Sequence, residues 1–189
     1  VYLVDTNILS AGSPTVRMPF GELVAWMDRA SASLYLSAVT VAEVHDGIEK
    51  AQREGATRKA ETLRGWWETV EHLYGDRILP FGIAAARIAG ALSDRARFIG
   101  AEPGFPDIAI AATAELHGFT VLTRNIRDFR PLGVACLDLT TRCHRSRLTI
   151  GHRPAHNLKL RASRAGGPVV GSRTAVASDL FVDHYGKPA

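Results

Sequence analysis

A three-layer α/β/α fold around a mainly parallel sheet is what this 189-residue sequence predicts, on three observations. Short apolar runs recur along the first 138 or so positions. Longer stretches with apolar residues at helical spacing separate them. Isolated carboxylates follow several of the apolar runs, as ligand-facing residues do beyond the carboxyl ends of parallel strands. Val1–Asp5 reads as the first strand. Phe20 to Ala30 carries Leu23, Val24, Trp26 and Met27 on one helical face, and Leu34–Ser37 is the second strand. Val41, Val44, Ile48 and Ala51 then repeat at helical spacing. After Gly55 a further helix buries Leu63, Trp66, Trp67, Val70 and Leu73, and Arg77–Leu79 is a short strand before Pro80. Gly82 to Ile99 is a helix with Ile83, Ala86, Leu92 and Ala96 inward. Asp107–His117 is apolar almost all round, so a fully buried helix is expected, ended by Gly118. Thr120–Thr123 and Val134–Leu137 complete the strands. Strands separated by helices imply right-handed crossovers and a sheet covered on both faces.

Composition divides the chain in two. Apolar residues make up 46% and charged residues 22%, ordinary for a soluble globular protein. The net charge of +4 describes neither part. Residues 1–141 hold 14 Lys/Arg against 17 Asp/Glu, a net of −3, and residues 142–189 hold 9 against 2, a net of +7. A folded domain is therefore expected over 1–139, and a basic, disordered extension over 140–189, too poor in apolar periodicity to offset the entropy of ordering. No apolar run reaches the roughly 20 residues of a membrane helix. The apolar start is interrupted by Asp5 and too short for a signal peptide, so a cytoplasmic location is expected. Cys136 and Cys143 are spaced too widely for a zinc half-site with His152 and His156, and free, partly buried thiols are expected instead.

Four acids carry the chemistry: Asp5, Glu43, Asp107 and Asp128. Carboxylates beside apolar strands are costly to bury without a partner. Four at one sheet edge would find their counter-charge in a hard divalent cation, magnesium with manganese able to substitute. Thr6, Asn7, Thr123 and Asn125 supply uncharged polar groups nearby, for contacts behind the ligands or with substrate. No Ser-His-Asp or Cys-His set competes, and His45 and His117 sit in helical segments. Each acid also has an ordinary structural explanation. Thr40 and Glu43 have capping-box spacing, Asp5-Thr6-Asn7 is a turn-and-cap signal, and Asp107 suits the first turn of its helix. Asp128 can pair with Arg124, Arg127 or Arg130, worth at most about 1 kcal/mol at a surface.

Val4-Asp5-Thr6-Asn7, the run from Ser37 to Glu43, the run from Pro106 to Ala114, and the run from Thr123 to Phe129 together resemble the successive motifs of the PIN domain. More narrowly they resemble the VapC/FitB-type toxins of bacterial type II toxin–antitoxin systems, across roughly residues 1–138. The resemblance implies a PIN-like α/β/α fold and a magnesium-dependent endoribonuclease that hydrolyses RNA phosphodiester bonds. It implies metal binding by Asp5, Glu43 and Asp107, with Asp128 and Asn125 completing the pocket. It further implies a homodimer and a VapB/FitA-like antitoxin whose C-terminal segment lies against the acidic pocket. Arg124, Arg127 and Arg130 beside Asp128 are candidate RNA phosphate contacts, with a solvated helix face as the alternative. Residues 142–189 have no counterpart in that family and read either as an RNA-binding extension or as an altered frame past the natural stop. Two other functions stand against the nuclease. One is a non-catalytic magnesium- or partner-binding regulatory module, which would need an acidic pair after the first strand and a lysine near a late strand. Thr6 follows Asp5, and no lysine lies between Lys59 and Lys159. The other is an inactive remnant of the nuclease fold.

Overall fold

The computed structural model describes residues 1–16 and 21–139. The basic segment from 140 onward, including Cys143, His152 and His156, lies outside the described residues, as does the expected helix start at Phe20. The expected strands are β1 (Tyr2–Val4), β2 (Leu34–Ser37), β3 (Ile78–Leu79), β4 (Thr120–Leu122) and β5 (Cys136–Leu137). They form one sheet of order β3-β2-β1-β4-β5 in which every neighbouring pair is parallel. The expected helices are α2 (Gly21–Ala30), α3 (Ala38–Arg53), α4 (Thr57–Tyr74), α5 (Ile83–Phe98) and α6 (Phe105–His117).

Two single-turn helices were not foreseen: α1 (Thr6–Leu9) directly after β1 and α7 (Ile126–Phe129) shortly after β4. Four residues are too few to show a helical period, so hydrophobic patterning is silent there. α6 also begins two residues before Asp107, with Gly104 as its N-cap and a proline in its first turn. Gly118 closes α6 at φ 67°, the left-handed conformation that lacks a steric penalty only in glycine.

Strand alternation divides the interior into two cores. Val4, Leu34, Leu36 and Leu122 face one side with buried residues of α1 to α4, among them Ile8, Trp26, Ile48 and Trp67. Leu3 and Val121 face the other, with Leu92, Ile110, Phe129 and Leu132. This is the period of two that sends successive side chains to opposite faces. Helices on both faces bury Leu3 and Val4 of β1 completely. The order of strands reverses between β1 and β4, the place where ligands of open parallel sheets bind. Among the described residues no helix is long and apolar enough to cross a membrane.

Leu36 is fully buried in the first core. Leu36→Ala is expected to cost about 2–5 kcal/mol, lost transfer energy plus a cavity. Urea unfolding should show a lower midpoint at unchanged slope, and an unchanged midpoint would contradict the packing described.

Candidate metal centre

Parallel pairing of Val4 with Leu122 brings the ends of β1 and β4 side by side. The Asp5 amide donates to the Leu122 carbonyl at 2.9 Å, so the ladder extends one residue into the site. Asp5 is the N-cap residue of α1, its carbonyl accepting from the Ile8 and Leu9 amides at 3.0 and 3.1 Å, so the turn-and-cap reading holds for its backbone. Its side chain, only 4% exposed, makes no capping hydrogen bond. Its Oδ2 accepts from Thr123 Oγ1 at 2.6 Å and from Asn7 Nδ2 at 2.5 Å. Burial raises the Asp5 pKa, the Thr123 hydrogen bond opposes the rise, and the charge of Glu43 adds to it.

Glu43 arrives from α3. Its side chain accepts a 2.5 Å hydrogen bond from Thr6 Oγ1, the residue next to Asp5. The expected Thr40–Glu43 capping box is absent. α3 begins at Ala38, and Ser37 Oγ caps it by accepting from the Val39 amide at 3.1 Å. Thr40 therefore lies inside the first turn, and its buried hydroxyl has no hydrogen-bond partner among the described residues. The serine was visible in the sequence, but the later Thr-x-x-Glu spacing masked the earlier cap.

Asp107 stands half-buried in the first turn of α6. Its pKa is raised to about 6, first by burial and then by the charges of Asp5, Asp128 and Glu43, while the Gly104 amide pulls the other way. Asp107 is thus within reach of the charges of the other three predicted acids. Asp128 is reached from α7. Asn125 Nδ2 donates to its Oδ2, and Arg127 Nε lies 3.4 Å from its Oδ1. That ion pair is the surface pairing the sequence suggested, but the Arg127 side chain is 92% exposed, so the pair is weak. Arg124 and Arg130 are exposed on the same segment. His45 and His117 are exposed on helices, and Cys136 is a half-buried free thiol. A residue the sequence reading missed is Arg95 on α5, whose Nη1 donates to the Leu132 carbonyl at 3.0 Å behind the α7 segment. Gly133 accepts φ 72° there, and a side chain on it would meet that guanidinium at 3.0 Å.

The donors fit a hard cation. The acids are carboxylates supported by hydroxyl and amide donors, without a thiolate or imidazole among them. Among the described residues no three acids close into a ready-made ligand cage. Magnesium does not require one, since it keeps several waters and is held by one or two carboxylates. The repulsion felt at Asp107 is what such a cation would relieve.

Comparison with known proteins finds similar sequences and a similar fold. The family model of the PIN domain matches residues 2–133. Toxin FitB of Neisseria gonorrhoeae is 35% identical over 134 residues, covering 70% of this chain and 94% of its own length. VapC ribonuclease Y4jK of Sinorhizobium fredii is 37% identical over 133 residues, covering 70% of this chain and 92% of its own. The crystal structure of FitAcB from Neisseria gonorrhoeae superposes with a TM-score of 0.65 at 34% identity, over 73% of this chain and 97% of that one.

Because the Asp107 pKa is raised on folding, the folded state holds a proton that the unfolded state has released. In chelator, stability should therefore fall as pH rises from about 4 through about 6, then level off. Melting temperatures measured across that window should show the slope, and Asp107→Asn should make it shallower, leaving the smaller part due to buried Asp5. An equal slope in the variant would mean that Asp107 is not the group responsible.

Proposed function

The chain belongs to the PIN domain family, among the VapC/FitB-type toxin ribonucleases of type II toxin–antitoxin systems, and from that premise we propose that it is a magnesium-dependent endoribonuclease acting through this acidic edge. The observation that carries the proposal is the gathering of the acids at the strand-order reversal, where Thr123 binds Asp5, Thr6 beside Asp5 binds Glu43, and Asp107 feels the charges of Asp5, Asp128 and Glu43. Asp5, Glu43 and Asp107 would hold the cation, directly or through its waters, and Asp128 would complete the pocket. When bound, magnesium supplies charge neutralisation at the phosphate and a water of lowered pKa.

The chain's own residues divide the remaining work. Thr6 restrains one oxygen of Glu43, and Asn125 restrains Asp128, so the acids meet the substrate in set positions. Asp107, lacking a side-chain donor in the hydrogen bonds of this network, is the acid most exposed to its neighbours' charge and gains most from a bound cation. Arg124, Arg127 and Arg130 line the rim, where phosphate contacts would weaken with salt. Burial of Asp5 keeps bulk water from one side of the site.

Two partners follow from the same reading. A VapB/FitA-like antitoxin would neutralise the toxin by covering the acidic pocket, and a second copy would form a homodimer. For the dimer, Phe98, Ile99 and Phe105 are 91%, 60% and 64% exposed around the connection from α5 to α6, and Phe81 stacks edge-on against Phe105.

Asp5→Asn should reduce magnesium-dependent RNA cleavage by at least about 100-fold, an effect comparable to removing a key electrostatic stabiliser, and should abolish growth arrest on expression. Cleavage of RNA by the purified protein at full rate in excess EDTA would sink the mechanism. Phe98→Glu should shift the protein from dimer to monomer in light scattering behind size exclusion. A monomeric parent protein would overturn the dimer.

A further inference from the structure

The hydrogen bonds around Thr123 can be assigned without ambiguity, and they determine which oxygen of Asp5 is free. The Arg124 amide can only donate, and it lies 3.1 Å from Asn7 Oδ1. That contact fixes the Asn7 amide orientation, so Nδ2 faces Asp5 Oδ2 at 2.5 Å and Thr123 Oγ1 at 3.2 Å. The Asn125 amide, again only a donor, points at Thr123 Oγ1 from 2.9 Å. A hydroxyl has one proton and two lone pairs. With both lone pairs of Thr123 engaged by donors, its single proton must go to Asp5 Oδ2, 2.6 Å away. Oδ2 then receives two side-chain hydrogen bonds, the Asn7 and Thr6 amides act on the carboxylate to a lesser extent, and Oδ1 is the oxygen without a side-chain donor.

We propose that Thr123 is a positioning residue that, with Asn7, holds Asp5 as a single-oxygen ligand offering Oδ1 to the divalent cation. This rests on the metal-binding reading above. Thr123 has no exposed surface, so it acts on the site through Asp5 rather than by touching RNA. The arrangement suits a small octahedral cation, which takes carboxylates through one oxygen, better than a large one that accepts both. The same three contacts tie the end of β1 to the turn leading into α7, so the Asn125–Asp128 pair is set by the hydroxyl that orients Asp5.

The test is manganese binding to the full-length protein without RNA, by electron paramagnetic resonance or calorimetry, with thermal melts to check folding. Thr123→Val replaces the hydroxyl by a methyl of similar size and should weaken manganese binding about 10–100-fold, the usual effect of losing a ligand's supporting hydrogen bond. Thr123→Ser keeps the hydroxyl and should restore binding to within about threefold of the parent, an allowance well inside that range. Valine binding manganese as tightly as the parent, or serine no better than valine, would overturn the proposal. Asn7→Ala, at a half-exposed position, carries the same test if the valine variant folds poorly. It should lose about tenfold, and unchanged affinity would again overturn the proposal. A parent protein that binds no manganese would instead overturn the metal-binding reading itself.

Discussion

Burial of Asp5 and Asp107 beside further carboxylates is the constraint around which the open edge of this sheet is organised. Burial penalises the charge of Asp5 and Asp107 first, and neighbouring carboxylates add to it, so that both pKa values are raised. The protein answers with short uncharged donors rather than with lysines or arginines buried among the acids. Thr6 serves Glu43, Asn7 and Thr123 serve Asp5, and Asn125 serves Asp128. Such donors fix orientation without cancelling charge, so the site stays negative overall and retains its demand for a cation.

The two hydrophobic cores make that arrangement rigid. β1 is central and pairs on both sides, so the backbone at Asp5 is held by β2, β4 and the helices above and below. Phe129 and Leu132 anchor the segment bearing Asp128 in one core, and Arg95 ties its end to α5. The acids therefore come from elements that cannot drift independently. A site with preset geometry loses less on binding than one that must be assembled by its ligand.

Much of the architecture could be read from residues such as Leu34 to Ser37 and Asp107 to His117, where the apolar pattern is strong. The reading failed at local chemistry. Thr40 and Glu43 have the spacing of a capping box, yet Ser37 caps α3, and Glu43 turns toward Thr6 instead. A spacing rule reports what two side chains could do for each other. It does not report which alternative partner a distant strand brings within reach. α1 and α7 escaped notice because a single helical turn has no period.

From the sequence alone came the α/β alternation, the four acids and their place at the strand ends, and the uncharged residues beside them. Those features depend on hydrophobic periodicity and on neighbours along the chain. Only the tertiary structure decided which donor serves which acid. Thr123 and Asp5 lie 118 positions apart, and Thr6 and Glu43 lie 37 apart. The Asp5–Thr123 contact depends on the parallel register of β1 and β4, where a shift of one residue would send strand side chains to the opposite face, and the Thr6–Glu43 contact depends on how α3 packs beside α1.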